Sequence, residues 1–434
     1  MKNVTLMHKY EAYQNSGVEW LGDIPDSWSL LANKYIFKLK KSLVGKKSDD
    51  YELLSLTLKG IIKRDMNNPE GKFPADFNTY QEVKKDDFVF CLFDVEETPR
   101  TVGLSLYDGM ITGAYTVFET TKDFNNKFLY YFYLNLDSNK RLKPLYRGLR
   151  NTIPKESFMG LKTFVPRYEQ QYLIASYLDK KTTQIDDAIA IKEQEINLLK
   201  ERKQIIIQKA VTQGLDPNVT LKESGVDWVG KIPENWEIKR AKYIFKKEGR
   251  SVRSEDDVIT CFRDGQVTLR KNRRTEGFTF AAKEHGYQGI RKGDLVIHAM
   301  DAFAGAIGIS DSDGKSSPVY SVCTPFQDVD INVKYYALYL RNLALGGFIE
   351  SLAKGIRERS TDFRYNDFAE LFLPMPDKET QDSVVLEIEK KSLEIDCAIN
   401  LLKNQMEKLK EYKATLINSA VTGKIKITPS MVEQ

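Results

Sequence analysis

The most regular hydrophobic pattern of the chain lies in two segments, 166–214 and 376–424. In each segment apolar residues recur at alternating spacings of three and four, and no proline or glycine stands between the opening proline and the closing Ala-Val-Thr. This pattern predicts two helices of about 40 residues, roughly 60 Å long, each with a narrow apolar seam. The predicted seam residues are Leu178, Ile185, Ile189, Ile196, Leu199 and Ile206 in the first helix, and Ile388, Ile395, Ile399, Leu402, Met406, Leu409 and Leu416 in the second.

The two predicted helices are expected to pair with each other. Each seam alone would leave an apolar stripe in water, and two stripes of equal length are buried most simply by an antiparallel coiled coil. Lys203 and Lys413 occupy equivalent seam positions. A polar residue in a seam can fix the register of paired helices at some cost in stability.

The remaining sequence has shorter patterns that predict mixed α/β domains. Polar turns lead into apolar runs at 83–94 and again at 290–301, which predicts a buried strand in each place. Apolar aromatic runs at 128–134 and 335–340 predict a helix in each half. Each half of the chain therefore reads as a domain of short strands and helices followed by one long helix.

An internal repeat relates the two halves. Twelve of 22 positions are identical between 17–38 and 225–246, including Trp20, Trp28, Trp228 and Trp236. Because base-reading residues should diverge between two copies, we assign these tryptophans to packing. The expected fold class is α+β with a pseudo-two-fold repeat. The predicted boundaries are 1–165 for the first domain, 166–213 for the central helix, 214–375 for the second domain, 376–425 for the C-terminal helix and 426–434 for a tail.

Composition narrows the class of protein. The 434 residues are 41% hydrophobic and 29% charged, which is typical of a soluble globular protein. No apolar run is long enough to span a bilayer, and the N-terminus has no secretory h-region, so we expect a cytoplasmic protein without membrane partners. The four cysteines are scattered, which argues against a disulfide framework or a zinc site.

The net charge of +4 does not by itself indicate nucleic acid, but the basic residues are clustered. Seven Lys or Arg and one acid occur between 141 and 167, and 268–277 holds four basic residues together. Such clusters suit DNA phosphates and base edges, although either one could instead be a solvated surface. The candidate DNA-binding residues are Arg147, Arg150, Asn151 and Lys155 in the first domain, and Arg270, Lys271, Arg273, Arg274, Arg357 and Arg359 in the second.

Catalytic motifs are weak throughout. The sequence contains neither a Walker phosphate loop nor the Asn/Asp-Pro-Pro-Tyr/Phe motif of a DNA methyltransferase. Pro376-Asp377 followed by Glu389-Lys390-Lys391 fits a loose nuclease pattern, but Glu389 and Lys391 fall within the predicted long helix. His298 lies in an apolar run and reads as a buried, hydrogen-bonded residue. We therefore expect no catalytic residue, no bound metal and no cofactor.

Several motifs, present in order and in duplicate, resemble the specificity subunits of type I restriction–modification systems. They are SGVEWLGDIP (16–25), PRYEQQ (166–171), YLDKKTTQIDDAI (177–189) and AVTQGLDP (210–217). The resemblance implies that 1–165 and 214–375 are target-recognition domains, each reading one half of a split site in double-stranded DNA. It also implies that the long helices set the spacing and dock two methyltransferase subunits, through which restriction subunits join.

The second copy departs from these motifs in two places. It reads PDKETQ (376–381) where the first reads PRYEQQ, and TGKIKI (422–427) where the first reads TQGLDP. We expect these changes to alter local capping rather than function. Two other functions remain open from the sequence alone: a self-contained DNA nuclease or methyltransferase, and a coiled-coil scaffold that does not bind DNA.

Overall fold

The computed structural model describes residues 7–19, 21–65, 77–273, 285–352 and 362–433. The chain divides into two compact units, of which unit 1 is built from two separate segments of the sequence and unit 2 from one. Unit 1 comprises 1–192 and 404–434, and unit 2 comprises 193–403. Within the described ranges, no helix is both long and apolar enough to cross a membrane.

Short strands and three helices make up the N-terminal part of the chain. Asn125 caps the first of these helices, because its side-chain oxygen accepts a hydrogen bond from the backbone N–H of Phe128. The strands are β1 (Tyr13–Asn15), β2 (Asp23–Pro25), β3 (Ser29–Ala32), β4 (Phe37–Lys40), β5 (Leu54–Thr57), β6 (Gly60–Lys63), β7 (Gln81–Val83), β8 (Phe88–Phe90), β9 (Val102–Leu104), β10 (Gly109–Ile111), β11 (Thr116–Thr120) and β12 (Lys162–Val165). The helices are α1 (Asn126–Ser138), α2 (Lys155–Gly160) and α3 (Tyr168–Gln213), with 3-10 turns at Asn33–Tyr35, Gly45–Asp50 and Lys143–Leu145.

The core of unit 1 forms between a four-stranded antiparallel sheet and α1. The strand order is β4-β11-β8-β9, with Val117 of β11 paired to Lys40 on one side and to Val89 on the other. Alternation along the strands sends aromatic side chains to one face, where Phe37, Phe90 and Phe158 pack with ring centroids 4.7 to 6.1 Å apart. The predicted buried strand at 83–94 and the predicted helix at 128–134 are confirmed as β8 and α1.

Unit 2 repeats this arrangement with different residues. Its domain helix is capped by Asn332, whose side chain accepts from the backbone N–H of Lys334. The strands are β13 (Leu221–Glu223), β14 (Lys231–Pro233), β15 (Glu237–Arg240), β16 (Phe245–Lys247), β17 (Ile259–Cys261), β18 (Val267–Leu269), β19 (Gln288–Ile290), β20 (Leu295–His298), β21 (Ile307–Ile309), β22 (Gly314–Ser316), β23 (Tyr320–Pro325) and β24 (Phe372–Met375). The helices are α4 (Val333–Leu345), α5 (Phe348–Ser351), α6 (Tyr365–Ala369) and α7 (Lys378–Val421), followed by α8 (Pro429–Glu433) in unit 1, with 3-10 turns at Ala241–Tyr243, Arg270–Asn272 and Ala302–Ala304.

The four-stranded sheet of unit 2 has the order β16-β23-β20-β21, which is the counterpart of the sheet in unit 1. Its strands are antiparallel, and Leu295 of β20 pairs with Cys323 of β23. Helix α4 covers the sheet with buried tyrosines, among them Tyr335, Tyr336 and Tyr339. The predictions of a buried strand at 290–301 and a helix at 335–340 are confirmed as β20 and α4.

A buried glutamine joins the domain to the start of the long helix in each unit. In unit 1 the Gln171 amide donates to Pro166 O (2.9 Å), and its oxygen accepts from the Asn125 N–H (2.9 Å). In unit 2 Gln381 makes the same two bonds, to Pro376 O and from the Asn332 N–H, both 2.8 Å long. We call each set of two bonds a glutamine clamp. Each clamp fixes the N-terminus of a domain helix to the N-terminus of a long helix.

The departure in the second copy, PDKETQ, does change the local capping. Asp377 caps α7 by accepting from the backbone N–H and the hydroxyl of Thr380, at 2.8 and 2.9 Å. In the first copy Arg167 holds the equivalent position, and the amide of Gln170 instead donates to Ile427 O at 3.0 Å. Both clamps survive because they depend on the second glutamine, which the two copies share.

Two of the repeated tryptophans pack where the long helices end. Trp28 is 4% exposed and lies against Gly423 and Phe128, and Trp236 is 2% exposed and lies against Gly214. For these two residues the prediction of a packing role is confirmed. Trp228 stacks on Phe348 with ring centroids 4.8 Å apart but remains partly exposed, and Trp20 lies outside the described residues.

Candidate nucleic-acid interface

Three of the four candidate residues of the first domain, Arg147, Arg150 and Asn151, lie on a tight turn between α1 and α2. Arg147 and Thr152 form a two-way backbone bridge, N–H to O at 2.8 and 3.0 Å, and the Asn151 N–H donates to Gly148 O inside it. Gly148 and Asn151 both have positive φ angles, of 68° and 43°, which this turn requires and which glycine and asparagine tolerate best. The turn, residues 147–152, is called here the arginine turn.

The arginine turn is held against a neighbouring acidic segment. Arg150 forms a bidentate ion pair with Asp94, one bond of which joins Nε to Oδ1 at 3.0 Å. These donated hydrogen bonds hold the pKa of Asp94 below its usual range. The guanidinium also lies over the ring of Phe93, 5.6 Å from its centroid. Arg150 is thus an oriented side chain, with donors remaining on its outer nitrogen.

Other basic side chains near the arginine turn also meet carboxylates or amides. Lys143 pairs with Glu96 at 2.9 Å, and the Asn151 amide donates to Glu97 at 3.2 Å. Arg147 is exposed and donates to the carbonyls of Pro144 and Tyr146. Lys155 begins α2 and is exposed. The structure thus brings all four predicted residues of this domain to one region, and the acids at 94–97 contact two of them, Arg150 and Asn151.

The described candidates of the second domain, Arg270, Lys271 and Arg273, lie on the 3-10 turn Arg270–Asn272 and directly after it. Arg270 Nε donates to the hydroxyl of Thr260 at 3.3 Å, and Lys271 pairs with Asp257 at 2.6 Å. That bond from Lys271 holds the pKa of Asp257 below its usual range. Arg273 pairs with Asp264 at 2.7 Å and lies over the ring of Phe262. Arg274, Arg357 and Arg359 lie outside the described residues.

Sequence reasoning missed two features of this surface. It did not anticipate the carboxylates, because Asp94 and Arg150 are far apart in sequence and nothing local indicates that they pair. It also passed over Leu149, at the tip of the arginine turn, which has a relative exposure of 104%. A signal for Leu149 exists in the sequence, since Gly148-Leu149-Arg150 corresponds to Gly355-Ile356-Arg357 in the second half.

In unit 1 the segments of the two long helices run in opposite directions. Asp186 accepts two bonds from Lys413, at 2.7 and 2.6 Å, and Lys192 donates to Gln405 at 2.7 Å, so the partner number falls as the helix advances. The exposed fractions of the side chains are 28% for Lys413 and 57% for Asp186. Of the predicted seam residues in this unit, Leu178, Ile185, Met406, Leu409 and Leu416 are buried and Ile189 is half-buried.

Unit 2 contains the matching pair of helix segments. Lys203 donates to both oxygens of Asp396, at 2.9 and 2.8 Å, and the end of α3 at Ala210 and Val211 packs in one cluster with Ile388. These contacts again describe antiparallel segments. Of the predicted seam residues in this unit, Ile196, Ile388, Ile395 and Ile399 are buried, and Leu199, Ile206 and Leu402 are half-buried.

The residues of the loose nuclease pattern form a helix cap and ion pairs rather than one cluster. Asp377 caps α7, Glu389 pairs with Lys334 of α4, and Lys391 pairs with Glu394 on its own helix. Among the described residues, no cluster of three or more His, Cys, Asp or Glu side chains is arranged to hold a metal ion. The pattern therefore does not correspond to an assembled site in this part of the chain.

His298 is hydrogen-bonded, as predicted, but it is half-buried rather than buried, with 17% of its side chain exposed. Its Nδ1 accepts from the backbone N–H of Asp301 at 3.0 Å, and its ring packs edge-on against Tyr320. Burial lowers the pKa of His298, and the carboxylate of Asp301 opposes that shift only in part. The lowered pKa favours the neutral form of the ring.

Comparison with known proteins supports the resemblance inferred from the motifs. No family model matches the chain. It is 22% identical over 290 residues to the specificity subunit of the type I restriction enzyme EcoBI from Escherichia coli, a match that covers 60% of this chain. The chain spans 58% of the length of that relative.

Two solved structures have the same fold. A chain from a study of complex assembly and conformational transition in a type I R-M system aligns with a TM-score of 0.65 at 11% identity, covering 92% of this chain and 98% of that one. The HsdS subunit from Thermoanaerobacter tengcongensis aligns with a TM-score of 0.50 at 13% identity, over 93% of this chain and 98% of that one. The predicted resemblance to type I specificity subunits and the mixed α/β fold with long helices are confirmed.

Proposed function

We propose that this chain, which resembles type I specificity subunits in sequence and fold, is the DNA specificity subunit of a type I restriction–modification system. One observation carries the proposal. Two units keep the same frame, including the glutamine clamp and the Lys–Asp seam pair, while the domains they hold have diverged. A constant frame with two different domains is what a reader of two different half-sites requires.

In this proposal each domain reads one half of an asymmetric bipartite site in double-stranded DNA. The proposed contacts are the candidates named from sequence: Arg147, Arg150, Asn151, Lys155, Arg270, Lys271, Arg273, Arg274, Arg357 and Arg359. Bidentate arginines suit guanine, and asparagine suits adenine. Arg150, Lys271 and Arg273 are each held in one orientation by an ion pair. Fixed orientation suits a directed contact with DNA better than a general electrostatic attraction to phosphates.

The two long helices are proposed to form an antiparallel coiled coil that sets the distance between the half-sites. Lys203–Asp396 and Lys413–Asp186 supply the register, because each lysine replaces an apolar residue in the seam and finds a single carboxylate. Inserting one heptad into both helices, after Lys192 and after Lys403, would lengthen each by about 10 Å. We expect the spacer of the recognised site to grow by up to about three base pairs.

The partners proposed from the resemblance are two methyltransferase subunits, docked on the repeated frame, and restriction subunits joined through them. The chain itself is proposed to be non-catalytic, without a metal or a cofactor. The alternative of a self-contained nuclease or methyltransferase predicts activity from the purified chain with DNA, Mg²⁺ and adenosylmethionine. Activity under those conditions would contradict the proposal.

Methylome sequencing of cells with and without this chain tests the central claim. The expected result is one split, adenine-methylated motif that is lost when the chain is absent and restored when it is supplied. An unchanged methylome in a host that makes the cognate methyltransferase subunit would reject the proposal.

A salt titration of DNA binding separates the specificity subunit from a scaffold that does not bind DNA. The logarithm of affinity should fall steeply with the logarithm of salt concentration, because phosphate contacts release counterions. Arg150→Gln should reduce that slope by about one and weaken binding to all sequences alike if Arg150 contacts phosphate. Arg202→Gln, on an exposed part of α3, is the matched control and should leave the slope unchanged.

A further inference from the structure

Leu149 is presented to solvent in a way that folding does not explain. Its relative exposure of 104% is higher than that of any other large hydrophobic residue in the described part of the chain. It occupies the second position of a β-turn closed by the Asn151 N–H and the carbonyl of Gly148 at 3.3 Å. Burial of a leucine side chain is favourable, so Leu149 can still contribute apolar burial to a complex.

The backbone under Leu149 is fixed from both sides. Across the base of the turn, Arg147 and Thr152 exchange two hydrogen bonds, and Ile153 N–H donates to Leu92 O at 2.8 Å. From the side, Asp94 N–H donates to Arg150 O at 2.8 Å, while the carboxylate of Asp94 holds the Arg150 guanidinium. Because the backbone of the turn is already ordered, a partner that contacts Leu149 binds without the entropic cost of ordering this turn.

The charges around the turn leave the leucine as its most prominent free feature. Arg150 is engaged by Asp94, and Asn151 by Glu97. The guanidinium of Arg147 donates to two carbonyls at the base of the turn. The two carboxylates thus engage Arg150 and Asn151 beside the tip, where the apolar side chain of Leu149 is fully exposed.

A similar triplet stands at the corresponding place in the other half of the sequence. Gly148-Leu149-Arg150 is matched by Gly355-Ile356-Arg357, with an aliphatic residue between glycine and arginine in both. Residues that distinguish two half-sites should differ between the halves. An aliphatic residue at this sequence position in both halves therefore suits a feature that both half-sites have in common, which is the stacked duplex itself.

We propose that Leu149 is an apolar wedge that enters the minor groove and partly unstacks one base step of its half-site. Leucine and isoleucine are among the residues that DNA-bending proteins insert in this way, where contacts with the bent duplex offset the cost of unstacking. Flexible pyrimidine–purine steps would be favoured at that position, giving selectivity without a hydrogen bond to a base. This inference rests on the proposed function, since it assumes that the domain binds DNA.

The test uses the full-length chain, alone and assembled with the methyltransferase subunit of its host. The probe is the duplex that the wild-type protein selects from a random-sequence pool, with 2-aminopurine placed at successive positions of each half-site. Wild-type protein should raise the fluorescence at one step severalfold, because unstacking relieves quenching of the probe. Leu149→Ala should abolish that rise and weaken binding about tenfold, in line with the lost apolar burial.

Two further variants serve as controls. Leu106→Ala removes another exposed leucine of the same unit, with a relative exposure of 60%, and should leave both readouts unchanged. Leu149→Ile copies the residue of the second half and should keep the fluorescence rise. All three variants should unfold at the wild-type temperature, because neither leucine packs in a core.

The outcomes separate the wedge from the proposed function. Tight binding to the selected duplex with no fluorescence change at any position, or a rise that persists in Leu149→Ala, would overturn the wedge alone. If Leu149→Ala instead blocks assembly with the methyltransferase subunit while DNA contacts stay intact, the leucine is a protein contact and the wedge is wrong. Failure of the wild-type assembly to bind any duplex would overturn the proposed function and the wedge together.

Discussion

One buried position in the core is filled by polar side chains in unit 1 and by apolar side chains in unit 2. In unit 1 the Tyr133 hydroxyl lies 2.7 Å from the side-chain oxygens of both Asn33 and Thr163, and all three residues are at most 1% exposed. In unit 2 the equivalent residues are Ala241, Leu340 and Leu373, all apolar and all fully buried.

The backbone around this place is the same in both units. Asn33 N–H donates to Leu161 O at 2.8 Å, and Ala241 N–H donates to Leu371 O at the same distance. The frame therefore does not depend on which side chains fill it. All three side chains are polar in unit 1 and all three are apolar in unit 2. A mixed set would be less stable, because a buried hydroxyl or amide is costly when its hydrogen-bond partner is missing. Residues that form hydrogen bonds with each other in the core must therefore be replaced together.

The largest effect is expected when one member of the polar set is changed alone. Tyr133→Leu should destabilise the protein by about 3 kcal/mol, since it leaves a cavity and removes a partner from both Asn33 and Thr163. The triple change Asn33→Ala, Tyr133→Leu and Thr163→Leu, which copies unit 2, should recover at least half of that loss. Chemical denaturation measures both values. A triple variant less stable than the single one would mean that the two frames are not equivalent.

The reverse change in unit 2 is expected to cost about 2 kcal/mol. Leu340→Tyr adds a ring to a filled space and buries a hydroxyl beside Ala241 and Leu373, neither of which can accept a hydrogen bond through its side chain. Leu340→Met is the matched control, because it conserves volume and should cost less than half as much. A tolerated tyrosine would show that the core of unit 2 is less closely packed than its burial suggests.

A smaller difference between the copies is the cap of α7. Asp377→Ala should cost about 1 kcal/mol near neutral pH, whereas Arg167→Ala at the equivalent place should be close to neutral. The hydrogen bonds from Thr380 lower the pKa of Asp377 in the folded protein. The stabilisation is therefore complete above the ordinary aspartate pKa of the unfolded chain and is lost as the pH falls through the lowered folded pKa.

Denaturation of both variants across acidic pH tests this cap. The gap between wild type and Asp377→Ala should close on acidification, while Asp377→Asn should keep most of the cap at every pH. A gap that widens in acid would contradict the assignment.

The seam pairs, which are the same in both units, should matter little for stability. Lys203→Leu with Lys413→Leu should change the free energy of unfolding by less than about 1 kcal/mol, since Asp396 and Asp186 are more than half exposed and stay hydrated. Both domains should remain folded, as judged by unchanged near-ultraviolet circular dichroism. The reversed pair, Asp186→Lys with Lys413→Asp, restores opposite charges and serves as the control.

The smallest effect is expected at Tyr339, which corresponds to Phe132 in unit 1. Its hydroxyl is fully buried, and no described residue partners it. Tyr339→Phe should therefore leave stability within about 0.5 kcal/mol of wild type or raise it slightly. Tyr335→Phe is the contrast, because that hydroxyl donates to Val211 O at 2.7 Å and its loss should be measurable.

The parts of the fold that could be predicted are those with a local signal. The heptads of α3 and α7 and the aromatic runs of α1 and α4 are periodic within one element, and the strands β8 and β20 follow polar turns. The polar set around Tyr133 could not be foreseen. Its partners come from segments 100 and 30 residues away in sequence, and nothing in the Asn33 or Thr163 context distinguishes them from surface residues.

The candidate interface was harder to predict for a related reason. Runs of arginine and lysine indicate charge, but the field of a surface depends on what the rest of the chain brings beside them. Asp94 reaches Arg150 across 56 residues, and Asp257 reaches Lys271 across 14. Ion pairs between such distant residues cannot be predicted until the fold is known. They orient the hydrogen-bond donors of the basic side chains and reduce the net charge of the surface.

The glutamine clamp has a consequence for how such a chain can change over generations. Gln171 and Gln381 hold their domains by a backbone carbonyl and a backbone N–H, not by any side chain of the domain. Every residue type except proline offers those two groups. A different domain of this fold could therefore be inserted at the same two backbone contacts without a change in the glutamine clamp. Recombination could in this way exchange the domain while the long helices and their clamps stay the same.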